Sequence, residues 1–449
     1  MQSFELDKTD LSKLRKAIEG NDQLLAETLA EYHASEIAIL FENINAEDRQ
    51  RIINLLEVEK ASEVIAEMSE EAHPEELLIQ LHPDKRTEIV EELDYDDATD
   101  IISQLDEDEQ QEILEDLSAH DAESIRNLLS YHEETAGGLM NTQMIKVNID
   151  LTKKDAIDEI IRQSEEIEEF YTVFVTDDEG RFKGIVSLKD IIKAKGNVKI
   201  TDMVNPDAVY VKADTDQEEV AKLLSQYNLT SIPVVDGELK LLGRVTFDDV
   251  IDVLEDENTE DILKISGVSE DEELAGNWID AVKSRLPWLI INLGTAFLAS
   301  AVVRYYEDTL AHLAILSAYM TIIAGMGGNA ATQALAVTVR RISLFDLTDQ
   351  QAYRTVLKEF TVGMINGAVT GLIVLAFAYF FDANLMLGVV IFLAMTGNLI
   401  IAGFTGAGIP LILKRVGIDP AIASSIIITT FTDVFGFLLL LGLASKLLL

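Results

Sequence analysis

Apolar and polar residues change rhythm twice along this chain of 449 residues, and each of the three rhythms predicts a different kind of element. Over residues 1–135 apolar positions recur at helical spacing, as in Ile89-Val-Glu-Glu-Leu93 and Ile113-Leu-Glu-Asp-Leu117, with almost no glycine. A short pattern returns there as Ala34-Ser-Glu-Ile37, Ala61-Ser-Glu-Val64, Ala98-Thr-Asp-Ile101 and Ala122-Glu-Ser-Ile125. Between its copies, Asn45-Ala-Glu-Asp48, Asp84-Lys-Arg86 and Asp106-Glu-Asp-Glu109 set acids where a new helix begins, which the helix dipole favours. Repeats of this kind predict helical hairpins stacked as a small α-solenoid, with a generic helical bundle as the plainer alternative.

The second rhythm is β-rich and duplicated. Thr172-Val-Phe-Val-Thr-Asp177 and Gly184-Ile-Val-Ser-Leu-Lys-Asp190 return as Ser231-Ile-Pro-Val-Val-Asp236 and Gly243-Arg-Val-Thr-Phe-Asp-Asp249, at a constant offset of 59. Met144 and Met203 head the two copies. Each copy reads as helix, strand, turn, strand and a helix opened by Asp, over 136–200 and 201–258. A charged connector from Glu255 through Glu273 follows, and the connector region is expected over 259–285.

The third rhythm is almost unbroken apolarity. Five stretches have membrane length: Leu286–Val303, Leu313–Val339, Phe360–Phe381, Met386–Leu413 and Ala421–Leu441, making 286–449 a five-span α-helical domain. Charge divides the same way. From Asn277 onward there are ten basic and nine acidic residues, which leaves 25 basic and 70 acidic residues in the first 276. So acidic a soluble half repels nucleic acid and attracts cations. With no cleavable signal at the start, that half is expected in the cytoplasm. The flanks then facing inward hold Lys283, Arg285, Arg340, Arg341, Arg354, Lys358, Lys414 and Arg415, against Arg304 and Lys446 outside, and five spans put the C-terminus outside. The absence of Cys and the scattered six His exclude thiolate metal sites and argue against zinc. No nucleophile elbow, P-loop or dinucleotide fingerprint is present, so an enzyme is not expected.

Polar chemistry sits inside the spans. Asp433 reads as the one carboxylate deep within a span, where a charge costs at least ~2.5–3.5 kcal/mol. Thr429 lies one turn before it, and Thr430 and Thr432 flank that face, where hydroxyls suit water around an ion. Ala324-Gly-Met-Gly-Gly-Asn-Ala-Ala-Thr-Gln333 gathers glycines, amides and a hydroxyl in the second span; Gly325 and Gly328 suit either close helix packing or a loosened backbone along a cation path. The fourth span, with Gly397, Asn398, Gly403, Gly406, Gly408 and Pro410, is expected to be broken or kinked. Asn292 and Asn366 are expected to bond between helices.

The duplicated region resembles a tandem CBS pair. That resemblance implies adenine-nucleotide binding at Asp190, Thr246 and Asp249, with a plain helix cap and a dimerisation module as alternatives. Gly327-Gly-Asn-Ala-Ala-Thr-Gln333, Asp419-Pro420 and Thr430-Phe-Thr-Asp433-Val-Phe-Gly436, in that domain order, resemble the MgtE family of magnesium channels along the whole chain. The resemblance implies a homodimer in a bacterial cytoplasmic membrane with a pore between second and fifth spans. It assigns Asp433, Thr429, Gly328 and Asn329 to the pore, and Thr332 departs from members with a second Asn. It further implies closure by cytosolic Mg²⁺ at Asp97, Asp100, Asp216, Glu218, Asp249, Asp252, Glu257, Glu260 and Asp261, with Asn228 where some members carry an acid. ATP at the CBS pair is a further expectation. A carrier coupled to Na⁺ or H⁺ through Asp433, and a membrane-anchored nucleotide sensor, are the competing readings.

Overall fold

The computed structural model describes residues 13–449 apart from 15, 42, 70–71, 165–166, 168–169, 197, 270–277, 346 and 423–424. The acidic stretch Glu270–Glu273 of the connector therefore lies outside the described residues. The chain divides into two compact units, Met1–Glu255 and Asp256–Leu449.

The first unit begins with short helices: α1 (Asp22–Leu29), α2 (Ala34–Phe41), α3 (Ala46–Leu55), α4 (Val58–Ala66), α5 (Pro74–Gln80), α6 (Pro83–Glu92), α7 (Tyr95–Ser103), α8 (Glu107–Asp116) and α9 (Ala119–Leu128). Helices this short are marginal alone, so packing must hold them. Each lies against the helix two places on, from α1 with α3 through to α7 with α9. That stagger makes an array rather than a closed bundle. Its core threads Ile37, Phe41, Ile52, Ile65, Leu78, Ile89, Ile102 and Ile113, drawn from successive helices. The acids read as helix starters take that place: Asn45 accepts from the Asp48 amide at 2.9 Å, and Asp106 with Glu109 forms a capping box. Arg86, nearly buried, reaches from α6 to Glu112 and Asp116 of α8 at 2.8 and 3.2 Å.

Two three-stranded sheets follow. The first is β1 (Lys146–Asn148), β2 (Thr172–Thr176) and β3 (Phe182–Ser187); the second is β4 (Val211–Lys212), β5 (Ser231–Val235) and β6 (Leu241–Thr246). In each, the first pair is parallel and the second antiparallel. Val173 faces Val186 as Ile232 faces Val245, and the irregularities fall at Val175/Thr176 and Val234/Val235, so the 59-residue offset survives into the register. The sheets meet at their turns, where Arg181 bridges Lys240. Helices α10 (Lys153–Gln163), α11 (Leu188–Lys193) and α12 (Gln217–Tyr227) cover them. The last helix, α13 (Phe247–Ser266), runs without a break from the second copy into the connector.

The second unit holds α14 (Trp278–Tyr305), α15 (Glu307–His312), α16 (Leu316–Leu344), α17 (Asp349–Asp382), α18 (Leu385–Arg415) and α19 (Ser425–Leu447). All five apolar stretches are helices long and apolar enough to cross a membrane. Helix α18 is the hub, packed on α16, α17 and α19, whereas α14 touches chiefly α19 and is nearly all exposed.

Four expectations are corrected here. The fourth span is one continuous helix, and the second is uninterrupted through Gly325–Gly328. Gly325 and Gly408 face open space, but several of the other glycines give closeness rather than breaks: a Cβ on Gly403 would stand 2.4 Å from the Glu359 carbonyl, and one on Gly406 2.6 Å from that of Ala331. Gly363, Gly367 and Gly371 do the same from α17, meeting Leu399, Thr396 and Phe392 of α18. Second, Glu359 does not lie in a loop or at a helix end. Glu359 is nearly buried ten residues into α17, because that helix starts at Asp349, well before its apolar run begins. Third, Asn292 and Asn366 are exposed on the single chain; the buried bridging amide is Asn398. Fourth, the hydroxyls of Thr429, Thr430 and Thr432 donate to carbonyls of their own helix, at Ile426, Ile426 and Thr429. Thr429 and Thr430, half-buried, therefore offer lone pairs rather than protons to water nearby, whereas Thr432 is fully buried.

Candidate functional site

Within the second unit, α16 and α19 cross where both are narrow. A Cβ on Gly327 would lie 3.1 Å from the Thr432 Cβ, and one on Gly328 would lie 3.3 Å from Thr429 Cγ2. Thr432 is fully buried in that crossing. Thr429 and Asp433, one turn apart on α19, are half-buried. Beside them α16 exposes Gly325, Asn329 and Gln333 at four-residue spacing, with Thr332 half-buried alongside. The four residues expected at a pore thus fall on one edge of the α16–α19 pair. With Gln333 they form a strip of oxygen and amide groups along that edge.

The connector's second half closes onto the same unit. Asp261 accepts from Ser343 Oγ at 3.2 Å, and Arg340 donates to Asn258 at 2.7 Å, tying α13 to the end of α16. Lys264 pairs with Glu260 and, at 3.0 Å, with Asp419, which begins the turn leading into α19. Burial raises the Asp261 carboxyl above its ordinary value; Ser343 lowers it and Asp419 raises it further. Glu257, Glu260 and Asp261 are therefore on one helix, with Asp261 bonded to the end of α16 and Glu260 paired with Lys264, which itself reaches Asp419. Glu257 is half-buried on that helix.

In the first unit, carboxylates converge where α7 begins. Oxygens of Asp94, Asp96 and Asp97 all lie within 4.8 Å of one another. Asp96 is buried and accepts from Asn141 Nδ2 at 3.1 Å, and Asn141 exchanges backbone bonds with Arg244 of β6. Burial pushes Asp96 well up, with Asp249, Asp97, Asp94 and Asp100 adding repulsion. Burial also pushes Asp97 up to about 7, reinforced by Asp94, Asp249 and Glu67. Asp249 is raised by burial too, although Thr246 bonds to it and lowers it. An all-carboxylate donor set this close fits a hard divalent cation, which takes oxygen ligands and offsets the repulsion.

Of the residues expected to regulate, Asp97, Asp100 and Asp249 are brought together here. Asp94 and Asp96 were missed; a run of four acids in Asp94-Tyr-Asp-Asp97 and Asp100 was their signal. Asp252 lies three residues beyond Asp249 on α13, raised by burial and by Glu255 and Asp248. Asp216 and Glu218 are exposed elsewhere, Asp216 capping α12 through the Glu218 amide at 2.9 Å. Asn228 ends α12 in the left-handed region (φ 51°), which Asn tolerates well. The nucleotide candidates act as caps: Asp249 accepts from Thr246 N and Oγ1 at 3.1 and 2.5 Å, and Asp190 from Ser187 Oγ at 2.9 Å.

Comparison with known proteins follows the same division. Residues 32–134 match the family described as MgtE intracellular N domain, 136–197 and 200–256 the CBS domain, and 320–443 the divalent cation transporter family MgtE. Fold and site thus define a membrane protein of the divalent-cation transporter class. The magnesium transporter MgtE of Thermus thermophilus is 33% identical over 438 residues, 96% of each chain, and that of Enterococcus faecalis is 36% identical over 70% of this chain and 69% of its own. The chain belongs to the MgtE family of magnesium transporters. Among solved structures, the cytosolic domain of the Mg²⁺ channel MgtE in complex with ATP superposes with a TM-score of 0.52 at 36% identity, covering 54% of this chain and 99% of that one. The soluble part of a magnesium transporter gives 0.50 at 28% identity, over 55% and 97%.

Proposed function

We propose that this chain is a Mg²⁺ channel for uptake across the cytoplasmic membrane, held shut from within by Mg²⁺ bound to its acidic first unit and connector. The observation that carries the reading is the strip of Gly325, Asn329, Gln333, Thr429 and Asp433 left open on one edge of α16 and α19. Polar groups facing lipid are costly, so such an edge calls for water and for a partner surface. A second copy of the chain, set about a two-fold axis, supplies both and places two Asp433 carboxylates around one path. Because Mg²⁺ sheds its waters reluctantly, amide, hydroxyl and carboxylate oxygens spaced for a hydrated ion suit it better than a tight cage.

Regulation follows from charge. Within the first unit, the Asp94, Asp96 and Asp97 group with Asp249 repels itself when bare and holds together around a cation; within the connector, Glu260 and Asp261 are adjacent acids open to the same effect. Low cytosolic Mg²⁺ thereby loosens the connector, which α13 joins directly to the ends of α16 and α19. Asp216, Glu218, Asp252 and Glu257 extend the acidic surface. The excess of Lys and Arg on alternate flanks supports an acidic unit in the cytoplasm and a C-terminus outside. A relative's cytosolic domain is described in complex with ATP, and Thr246, Asp249 and Asp190, at the helix starts of the two copies, are the candidates to hold a nucleotide here.

The chain has no Cys, so a single thiol can be read without background. Asn329→Cys is expected to react with a small water-soluble thiol reagent and to lose most Mg²⁺ uptake in proteoliposomes on reaction. Reaction without loss of uptake would place α16 away from the path.

A further inference from the structure

We infer that Asn398 is a positioning residue for ion selection: its amide fixes the spacing of α16 and α19 at the level of Asp433. This rests on the pore reading above. Asn398 belongs to α18, which contributes nothing to the polar strip, yet its side chain is completely buried. Its Nδ2 donates to the Ile323 carbonyl of α16 at 3.1 Å. One turn on, Gly327 makes room for that same amide, for a Cβ there would stand 2.3 Å from Nδ2. On α19, Gly436 does likewise: a Cβ would stand 2.8 Å from Nδ2 and 3.1 Å from Oδ1. Two helices from opposite sides thus drop their side chains around one amide. Gly327 immediately precedes Gly328 and Asn329, and Gly436 follows Asp433 by three residues.

The chemistry argues that more than volume is needed. Among the described residues Asn398 Oδ1 has no hydrogen-bond partner, a costly state for a buried carbonyl oxygen. An apolar residue of like size would fill the space without that cost. What it would lack is the donor to Ile323, which pins α16 in rotation and height against α18. With Gly436 seated on the other side of the same group, α19 is pinned too. The distance between Asn329 and Asp433 is then set by α18 rather than by the ion, which is how a rigid support tunes a site it does not touch.

The test uses full-length protein in proteoliposomes, measuring Mg²⁺ and Ca²⁺ uptake separately, with Asp433→Ala as the reference variant. Asn398→Asp keeps the shape and removes the donor; Asn398→Ala removes the group. Both are expected to raise the Ca²⁺-to-Mg²⁺ uptake ratio at least about threefold, since Ca²⁺ accepts looser oxygen geometry. A merely structural role would lower both ions together and leave the ratio at the wild-type value, and that result overturns the inference. Gly436→Ala gives an independent arm. It is expected to depress Mg²⁺ uptake in the wild-type background and to do so at least about threefold less beside Asn398→Ala, because the clashing amide is gone. Additive losses would also overturn it. If Asp433→Ala keeps wild-type uptake, the pore reading itself fails; if it loses uptake while the Asn398 variants keep the wild-type ratio, only the positioning role fails.

Discussion

Asp433→Ala is expected to cut Mg²⁺ conduction at least about a hundredfold, the scale on which removing one fixed electrostatic group acts in a low-dielectric site. Folding should survive. Among the described residues no side chain donates to Asp433, so its loss orphans no partner. Removing a carboxylate from a span also removes an insertion cost of ~2.5–3.5 kcal/mol, so the variant should insert at least as well as wild type. Asp433→Asn separates charge from shape: it keeps the oxygen and the volume, and should lose conduction nearly as completely. Flux assays on protein that elutes as wild type in detergent check this. Wild-type flux from Asp433→Ala would remove the residue from the path.

The second large effect belongs to the acidic group at the start of α7. Asp97 sits at about 7 in the folded chain against an ordinary 3.8. The folded state therefore binds that proton more tightly than the unfolded state does. Its stabilising contribution is complete below about 3.8 and is lost as pH rises through about 7, the reverse of a salt-bridged aspartate. Asp96 and Asp249, shifted the same way, steepen the trend. In chelator, the first unit of the full-length protein is expected to be cleaved by protease markedly faster at pH 8 than at pH 5.5. Millimolar Mg²⁺ should abolish the difference, because a bound dication replaces the protons. Asp97→Asn should flatten the pH dependence in chelator. A first unit more resistant at pH 8 than at pH 5.5 without Mg²⁺ would contradict the arrangement.

Much of the architecture was legible before any coordinates. The 59-residue offset holds down to matching irregularities in β2 and β5, because in both copies a continuously buried central strand pairs with an alternating partner, β3 or β6, whose buried face fixes the register. Apolar run length located all five spans, although the helices extend beyond the runs wherever polar ends such as Asp349–Glu359 continue the turn. Periodicity reports which face of a helix is apolar. It does not report which neighbour that face meets, and the misreadings have this cause. Gly403 and Gly406 in α18 read as breaks, yet a Cβ on either would meet backbone of an adjacent helix; in α16, where close packing and a loosened backbone were both open, Gly327 and Gly328 pack against neighbours and Gly325 meets nothing. Glu359 looked peripheral and Asn398 incidental for the same reason. At the acidic cluster, the sequence identified Asp97 and Asp249, 152 positions apart, but the burial of Asp96 depends on Asn141 and through it on β6. No local pattern encodes that contact.

At the heart of the proposed function is a conducting Mg²⁺ path closed by Mg²⁺ on the cytoplasmic side. Recording from excised patches that hold the purified protein tests it directly, with cytoplasmic-side Mg²⁺ stepped from nominally zero upward. The account predicts a Mg²⁺ current that is present at the lowest concentration and falls as cytoplasmic-side Mg²⁺ rises. Electrically silent uptake that follows a proton or sodium gradient, or a current indifferent to cytoplasmic-side Mg²⁺, would contradict it.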